Sequence, residues 1–238
     1  MKESIKEVLA RIGWHLNADA RRELRESVQD LLSVHTLPDL DLHYIPWATA
    51  ALRPGAVRAL LNEIVIHQRT RMLEFGAGLS TLYVADLFRS QKSGHIVSVE
   101  NDKEWVEIVR DYLVRLEVPK KHYKVVYSNL KKTEIEGATN EWYDLDNVSS
   151  EIVGEEGFDM VLVDGPPANS EVTKNARYPA LPFAEDYLQS DFAVFLDDVG
   201  QGEEVAQKWM NEFELTESSA AGMGVFRPPD TQATWDIV

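Results

Sequence analysis

Short apolar runs alternate with segments of helical spacing through the middle and C-terminal parts of the chain. The runs predict five strands: Arg71–Phe75, His95–Glu100, Tyr123–Tyr127, Phe158–Asp164 and Phe192–Asp197. The segments whose apolar residues recur every three or four positions predict helices: Ser80–Ser90, Asp102–Glu117 and Gly202–Phe213. Strands that are apolar along their whole length and are separated by helices indicate a parallel sheet covered on both faces. The pattern therefore predicts an α/β fold with a doubly wound, mostly parallel sheet.

Three further segments of helical spacing precede the first strand. Ile5–Ile12 and Leu24–Leu32 each have one apolar face, and Asn17–Asp19 predicts a break and an N-cap between them. Pro54 stands where the third helix is predicted to begin. We therefore divide the chain into an N-terminal helical cap, residues 1–52, and an α/β domain, residues 53–238.

Two other segments complete the pattern. Residues 129–157 are polar and without clear periodicity, so we interpret them as an inserted surface loop. Residues 215–221 and 223–227 predict two strands, joined at Gly222 and paired antiparallel.

Composition narrows the classes of protein to which the chain can belong. The 238 residues suffice for one large domain with a helical appendage. The absence of cysteine excludes disulfides, thiolate zinc sites and cysteine nucleophiles, and it fits a reducing compartment. The charged N-terminus does not resemble a secretory signal, and no apolar run reaches the ~20 residues of a membrane helix. We therefore expect a cytoplasmic protein without a membrane partner, and the net charge of −16 argues against nucleic acid.

Acidic residues mark the carboxyl ends of four predicted strands. They are Glu74, Glu100, Asp164, Asp197 and Asp198. In an open parallel sheet these ends line the crevice where ligands bind. Any one of them has the ordinary explanation of a helix cap or a solvated loop residue. Together they would repel one another unless a cationic ligand, a metal or a set of hydroxyl donors lay between them.

The first strand is followed by a short glycine motif, Glu74-Phe75-Gly76-Ala77-Gly78-Leu79-Ser80-Thr81. Glycine at 76 and 78 permits backbone conformations and a ligand approach that a Cβ would block. Ser80 or Thr81 can cap the following helix. A dinucleotide-binding fingerprint would have a third glycine near position 81, where this chain has Thr81. Glu100, at the end of the second strand, is placed to accept hydrogen bonds from both ribose hydroxyls of a nucleoside.

This motif resembles the first motif of the class I S-adenosylmethionine-dependent methyltransferases. The resemblance covers residues 70–228 and implies a Rossmann-like, seven-stranded sheet whose seventh strand is antiparallel, with S-adenosylmethionine as the cofactor. It implies that Glu74 faces the cofactor's amino group, that the loop from Gly76 to Ser80 and Thr81 holds its methionine part, and that Glu100 holds its ribose. Asn101, Ser128 and Asn129 would flank the adenine.

The fourth and fifth strands resemble those of metal-assisted O-methyltransferases of the catechol and macrolide-sugar type. The resemblance implies that Asp164, Asp197 and Asp198 bind Mg²⁺ or another divalent cation, which would lower the pKa of the acceptor oxygen. Two positions depart from that pattern, because Pro167 replaces a lysine and Asp198 a common asparagine. Asp197 and Asp198 equally suit helix capping without a metal. The resemblance also implies that Asp164 lies beside the transferred methyl group. Without a metal, Asp164 or a loop histidine could be the general base.

The residues that select the acceptor are less marked. Arg177 is a candidate catalytic residue that could bind an acidic acceptor or brace Asp164, and a structural ion pair is the alternative. His43, Tyr44 and Trp47 could line the acceptor pocket, although core packing suits Trp47 better. Trp142 and Tyr143, in the polar insertion, suit either a lid contact or a small satellite cluster.

The sequence thus predicts a methyltransferase that acts on a small polar acceptor, with oxygen favoured over nitrogen by the resemblance alone. Four alternatives stay open: a nicotinamide-dependent oxidoreductase, an aminopropyltransferase, a non-catalytic nucleoside-binding protein and a nucleic-acid methyltransferase. The apolar faces of the N-terminal helices could pair between two copies, so a homodimer is a further expectation.

Overall fold

The computed structural model describes residues 18–42, 44, 47, 51–135, 138–155, 157–167, 175–198, 203–229 and 231. In the N-terminal half the elements are α1 (Ala18–Val34), α2 (Pro54–His67), β1 (Arg71–Phe75), α3 (Leu79–Gln91), β2 (His95–Glu100), α4 (Lys103–Arg115) and β3 (Tyr123–Tyr127). In the C-terminal half they are β4 (Leu130–Ile135), β5 (Ala138–Tyr143), α5 (Leu145–Ile152), β6 (Phe158–Val163), α6 (Ala180–Ala184), β7 (Leu188–Leu196), α7 (Glu203–Glu212), β8 (Thr216–Ala220) and β9 (Met223–Arg227). Short 3-10 turns at Lys120–His122 and Glu185–Tyr187 precede β3 and β7.

Seven strands form one sheet in the order β3-β2-β1-β6-β7-β9-β8. The five strands from β3 to β7 are parallel, whereas β9 runs antiparallel to both of its neighbours. The predicted mostly parallel, seven-stranded, Rossmann-like fold is therefore confirmed. The strand order reverses beside β1, so the loops after β1 and β6 leave toward opposite faces and open a crevice between them.

Each face of the sheet carries its own apolar core, because alternate side chains of a strand point to opposite faces. Met72 of β1 packs on one face with α2, α3 and α4, and Leu73 packs on the other with α5, α6 and α7. The doubly wound arrangement brings the carboxyl ends of β1, β2, β6 and β7 to one edge of the sheet.

Helix α1 does not pack as its sequence pattern predicts. Leu31 and Leu32, part of the expected apolar stripe, are exposed by 67% and 59%. The helix instead contacts the start of α2 through polar groups, since Glu26 and Asp30 form ion pairs with Arg53 at 2.8 and 2.7 Å. These partly exposed ion pairs join α1 to the start of α2, and the spacing of apolar positions does not predict them. The predicted helix over Ile5–Ile12 and the capping residue Asn17 lie outside the described residues.

The prediction of a surface loop over residues 129–157 is wrong. The segment forms an antiparallel hairpin, β4 and β5, followed by helix α5. Its last hairpin residues, Trp142 and Tyr143, are both fully buried against Phe75, with ring centroids 5.1 and 5.9 Å from that ring. They belong to the main core of this face, so neither a lid nor a satellite cluster describes them.

A buried ion-pair cluster ties the amino edge of the sheet together. Glu63 of α2 accepts from Arg69 at 3.1 Å and from Arg227 of β9 at 2.6 Å, and Arg69 also contacts Asp191 at 2.9 Å. The cluster joins an early helix to the last strand. Within the described residues, no helix has the length and apolar character needed to cross a membrane.

Candidate functional site

The glycine bend lies at the carboxyl end of β1, where the chain crosses the turn that follows β6. Gly76 has a φ of 100°, and a Cβ there would lie 2.8 Å from the backbone nitrogen of Gly165. Only glycine permits both that conformation and that approach. A Cβ at Gly78 would meet no atom of the described residues within 4 Å, so among these residues this side of the bend is open. The bend can therefore receive a ligand close to its backbone.

The bend is fixed by hydrogen bonds from three directions. The Gly76 amide donates to the Val99 carbonyl at 2.8 Å, and the Gly78 amide donates to Thr81 Oγ1 at 2.9 Å. Thr81 is therefore the helix-capping residue of the two that the motif offered. The indole of Trp105 donates to the Ala77 carbonyl at 2.7 Å.

Glu74 lies beneath this bend and is fully buried. Its two carboxylate oxygens accept hydrogen bonds from the hydroxyls of Ser80, Thr81 and Ser98. Burial raises the pKa of Glu74 to about 7, although the three hydroxyls oppose that rise. The carboxylate thus connects β1, β2 and the start of α3, and it does not reach the surface of the crevice.

Glu100 ends β2 beside the bend and is 9% exposed. Its Oε1 accepts from the amides of Asn101 and Asp102 at 2.7 and 2.8 Å, and the Ala77 amide also bonds to the carboxylate. Burial raises the pKa of Glu100 against these donors. A carboxylate held in this way keeps acceptor capacity for the paired hydroxyls of a ribose.

The loop after β3 borders the same crevice. The Ser128 amide donates to the Glu100 carbonyl at 2.8 Å, so β3 ends next to Glu100. Ser128 is buried, Asn129 is exposed and Asn101 is half-buried. The Asp144 amide donates to the Asn129 carbonyl at 3.0 Å, so the residues before and after the hairpin β4–β5 are hydrogen-bonded to each other. Asn101, Ser128 and Asn129 therefore flank one side of the crevice together.

Asp164 and Asp197 follow the neighbouring strands β6 and β7. Their carboxyl groups are in hydrogen-bond contact with each other. Burial and Asp197 raise the pKa of Asp164 well above its usual range, and burial and Asp198 raise the pKa of Asp197. The side chain of Asp198 is 57% exposed, and its φ of 54° marks a left-handed turn.

Arg177 lies under these carboxyl groups with 7% of its surface exposed. It donates to three backbone carbonyls: from Nη2 to Asp164 at 2.7 Å, from Nη1 to Asp197 at 2.7 Å and from Nε to Pro166 at 3.3 Å. Nη2 also lies 3.8 Å from Asp164 Oδ1 and 3.9 Å from Asp198 Oδ2. One guanidinium therefore connects the ends of β6 and β7 and supplies a positive charge to two carboxylates.

A glycine bend, a carboxylate at the end of the next strand and an acidic group at the switch point thus share one crevice. A family of proteins described as a methyltransferase domain matches residues 73–199, which contain all of these groups. The chain belongs to this methyltransferase family. The predicted recognition and the prediction of an enzyme are confirmed. None of the curated proteins matches the sequence of this methyltransferase.

Several solved structures share the fold of the methyltransferase at low sequence identity. The SAH-bound methyltransferase PaMTH1 of Podospora anserina is 15% identical over 97% of this chain and 99% of its own, with a TM-score of 0.56. An O-methyltransferase of Bacillus cereus in complex with SAH is 15% identical over 85% and 88%, with a TM-score of 0.53. The O-methyltransferase TomG of Streptomyces achromogenes, involved in tomaymycin synthesis and in complex with SAM, is 14% identical over 85% and 96%, with a TM-score of 0.51.

The three aspartates of the methyltransferase do not fit a divalent ion as they are arranged. Among the described residues, no group of three or more acidic or histidine side chains is arranged to hold a metal. Asp164 is in contact with Asp197, and the guanidinium of Arg177 lies within 4 Å of Asp164 Oδ1 and Asp198 Oδ2. The guanidinium already supplies these carboxylates with a positive charge, and it would repel a second cation placed beside it.

Three further residues of the methyltransferase shape the site without having been predicted. Trp105 lies in a predicted helix and Ser98 in a predicted strand, and neither position by itself indicates a role in the site. Tyr143 places its hydroxyl 2.5 Å from where a Cβ of Gly165 would lie, and this buried hydroxyl has no hydrogen-bond partner among the described residues. The polar atoms of Trp105 and Ser98 bond to residues outside their own helix and strand. In the sequence, such residues can be recognised only as polar atoms on an otherwise apolar face.

The N-terminal segment of the methyltransferase contributes one aromatic contact near the crevice. Trp47 is 37% exposed and lies 6.4 Å from Tyr83 of α3, between ring centroids. Tyr44 is 71% exposed, and His43 lies outside the described residues. Pocket lining by these residues stays a prediction.

Proposed function

We propose that this methyltransferase uses S-adenosylmethionine and transfers its methyl group to a hydroxyl oxygen of a small polar acceptor. The observation that carries the proposal is the position of Glu100, whose carboxylate is held by three backbone amides directly beside the bend of Gly76 and Gly78. This combination suits a nucleoside whose ribose binds Glu100 and whose attached chain passes over the bend. The SAH-bound and SAM-bound neighbours support the same cofactor.

The proposed cofactor contacts follow the edges of the crevice. Asn101, Ser128 and Asn129 flank the adenine, and the bend from Gly76 to Gly78 receives the methionine part. Glu74 acts through the bend and does not touch the cofactor, because three hydroxyls occupy its oxygens. Ser80 and Thr81 likewise act by holding the bend, since their hydroxyls are turned inward to Glu74.

The transfer step places the sulfonium methyl group beside Asp164. The C–S bond breaks with its electron pair remaining on sulfur, and a lone pair of the acceptor oxygen forms the new C–O bond. The hydroxyl proton passes to the carboxyl pair of Asp164 and Asp197, whose raised pKa values make it a stronger base than an exposed carboxylate. Positioning of the oxygen in line with the sulfur supplies the remainder of the rate. Because of Arg177, neither Mg²⁺ nor another divalent cation enters this step.

The class of acceptor rests on charge. A net charge of −16 disfavours a nucleic-acid substrate, whose phosphates are held by clustered lysine and arginine. We therefore infer a small-molecule acceptor that the enzyme meets in the cytoplasm, without a membrane partner. The homodimer and the division of the chain at residue 52 stay predictions.

Thermal unfolding with different ligands tests the cofactor. S-adenosylhomocysteine at ~100 times its dissociation constant should stabilise the protein by about 2.7 kcal/mol and raise its melting temperature. NAD should leave the melting temperature unchanged, and a rise with NAD alone would support the oxidoreductase alternative instead.

A screen of sugars, catechols and small acids with radiolabelled methyl donor then identifies the acceptor; a labelled amine product would contradict oxygen transfer.

A carboxylate variant tests the ribose contact. Glu100→Ala should weaken S-adenosylhomocysteine binding at least ~10-fold, since a charge-assisted hydrogen bond contributes about 1.5–3 kcal/mol. Glu104→Ala, in the exposed first turn of α4, is the matched control and should bind normally. Equal affinity of both variants, measured by calorimetry, would remove the role assigned to Glu100.

A further inference from the structure

We infer that the guanidinium of Arg177 is the resident cation of the transfer site and takes the place that a divalent metal would otherwise occupy. The inference rests on the proposed function, because it concerns the charge that faces the acceptor oxygen. Its decisive measurement is metal binding, which does not depend on methyl transfer.

The position of the guanidinium is set by backbone atoms. Its three hydrogen bonds, at 2.7, 2.7 and 3.3 Å, go to the carbonyls of Asp164, Asp197 and Pro166 at the ends of two adjacent strands. A guanidinium that moved aside would lose all three hydrogen bonds and leave the three carbonyls without this donor. Burial to 7% exposure further limits its alternatives.

The same guanidinium lies among the oxygens that a metal would need. Nη2 is 3.8 Å from Asp164 Oδ1 and 3.9 Å from Asp198 Oδ2, while Asp164 is bonded to Asp197. A metal ion must be surrounded by oxygen ligands at little more than 2 Å, and a fixed positive charge next to two of them opposes its entry. The arrangement therefore offers the carboxylates a cation that is part of the chain.

Arg177 suits the chemistry because its charge is permanent and its donors are rigidly directed. As the C–O bond forms and the C–S bond breaks, the acceptor oxygen gives up its proton to a carboxyl group of the site. The negative charge that this deprotonation leaves on the oxygen is stabilised by the guanidinium without reorganisation, until the new C–O bond neutralises it. The electron pair of the broken bond leaves on sulfur, so no metal or other co-reactant is needed.

Manganese titration of the unmodified enzyme is the first test. With S-adenosylhomocysteine bound, the free Mn²⁺ signal in electron paramagnetic resonance should stay undiminished at protein concentrations up to about 1 mM, the weak-binding range. Methyl transfer to the acceptor found in the screen should be unchanged by excess chelator. One tightly bound Mn²⁺ per chain, or loss of transfer with chelator, would overturn the inference. Failure of S-adenosylhomocysteine to bind at all would instead overturn the proposed function.

Replacement of the arginine is the second test. Arg177→Met should lower kcat roughly 100-fold, as loss of a fixed transition-state charge does. It should leave S-adenosylhomocysteine affinity within ~3-fold, because the lost group faces the acceptor. The same variant should gain Mn²⁺ binding, since its carboxylates are left without their cation. Arg115→Met, which removes the same charge from an exposed ion pair on α4, is the matched control and should do neither.

Two outcomes would contradict the role of Arg177 directly. One is an Arg177→Met enzyme with unchanged kcat; the other is a folded Arg177→Met enzyme that has lost transfer and still shows no Mn²⁺ binding. If that variant does not fold, Arg177→Lys serves, because it keeps the charge while losing the planar set of three carbonyl contacts. It should keep measurable transfer and exclude Mn²⁺, and Mn²⁺ binding by this variant would count against the inference.

Discussion

At the scale of single residues, the buried carboxyl group of Glu74 gives the protein a pH dependence of stability that an exposed carboxyl group does not. Burial raises the pKa of Glu74 from 4.5 to about 7 in the folded protein. As the pH rises above 4.5, the unfolded chain loses this proton first, so the free energy of unfolding falls until the pH passes about 7. The difference between the two pKa values corresponds to about 3 kcal/mol.

Glu74→Gln should remove this dependence, because the amide is neutral at every pH. In urea unfolding between ~pH 5.5 and ~pH 8.5, the stability of the variant relative to the natural protein should increase by about 2 kcal/mol. Glu104→Gln, in the exposed first turn of α4, should follow the natural protein instead. Parallel pH profiles for Glu74→Gln and the natural protein would show that Glu74 titrates as an ordinary carboxyl group.

Two glycines of the crevice should separate stability from binding. A Cβ at Gly165 would lie 2.5 Å from the Tyr143 hydroxyl, so Gly165→Ala should cost about 1–3 kcal/mol of stability. A Cβ at Gly78 meets nothing within 4 Å, so Gly78→Ala should cost less than about 1 kcal/mol. It should instead weaken S-adenosylhomocysteine binding, because its methyl group enters the space left for the ligand.

Urea unfolding and calorimetry of both variants measure this separation. Tyr143→Phe removes a hydroxyl that has no hydrogen-bond partner and should by itself be nearly neutral for stability. Combined with Gly165→Ala, it should recover part of the lost stability. A Gly165→Ala protein as stable as the natural one, or a Gly78→Ala protein with full ligand affinity, would contradict the geometry of the bend.

At the scale of elements, the central strands could be predicted from the sequence because both of their faces are buried, and the helices because one face of each is apolar. Arg71–Phe75 and His95–Glu100 have the predicted bounds, whereas β7 begins earlier, at Leu188. Residues 188–191 are polar or only half-buried, so they carry no apolar signal although they pair in the sheet. Because these strands are parallel, their direction alone predicts that the acidic residues at their carboxyl ends lie on one edge of the sheet.

The hairpin β4–β5 could not be predicted, because its strands carry few apolar residues. Lys131, Lys132, Glu134 and Glu141 are all exposed, and this polar surface hides the two aromatic residues that anchor it. The contacts of Glu74 and Arg177 escaped prediction for a related reason. They depend on side-chain directions and on backbone carbonyls of distant elements, and neither is encoded in local periodicity.

The hairpin should behave as part of the core. Trp142 is fully buried, so Trp142→Ala should cost about 3–5 kcal/mol of unfolding free energy. Glu141→Ala, one residue earlier and exposed, should stay within about 0.5 kcal/mol of the natural protein. Urea unfolding of both compares them directly. Similar small losses for the two variants would mean that the hairpin is a detachable lid.

At the scale of the whole molecule, the two edges of the sheet have different tasks. The carboxyl edge gathers Glu100, Asp164 and Arg177, which are arranged around a crevice. The amino edge gathers Glu63, Arg69 and Arg227, where one buried carboxylate accepts from both guanidinium groups. Because the amino-edge cluster connects α2 with β9, it holds together two elements that lie far apart in the sequence.

This division predicts that Glu63→Gln damages stability and spares binding. The carboxylate is 2% exposed and holds Arg69 at 3.1 Å and Arg227 at 2.6 Å, so its neutralisation leaves a buried guanidinium without a counter-charge. We expect a loss of about 3–5 kcal/mol in urea unfolding. Asp111→Asn, which breaks an exposed ion pair with Arg115, should cost less than about 1 kcal/mol. Affinity for S-adenosylhomocysteine, measured where Glu63→Gln is still folded, should be unchanged, because the crevice lies at the opposite edge. A matching loss of affinity would show that the two edges are coupled through the sheet.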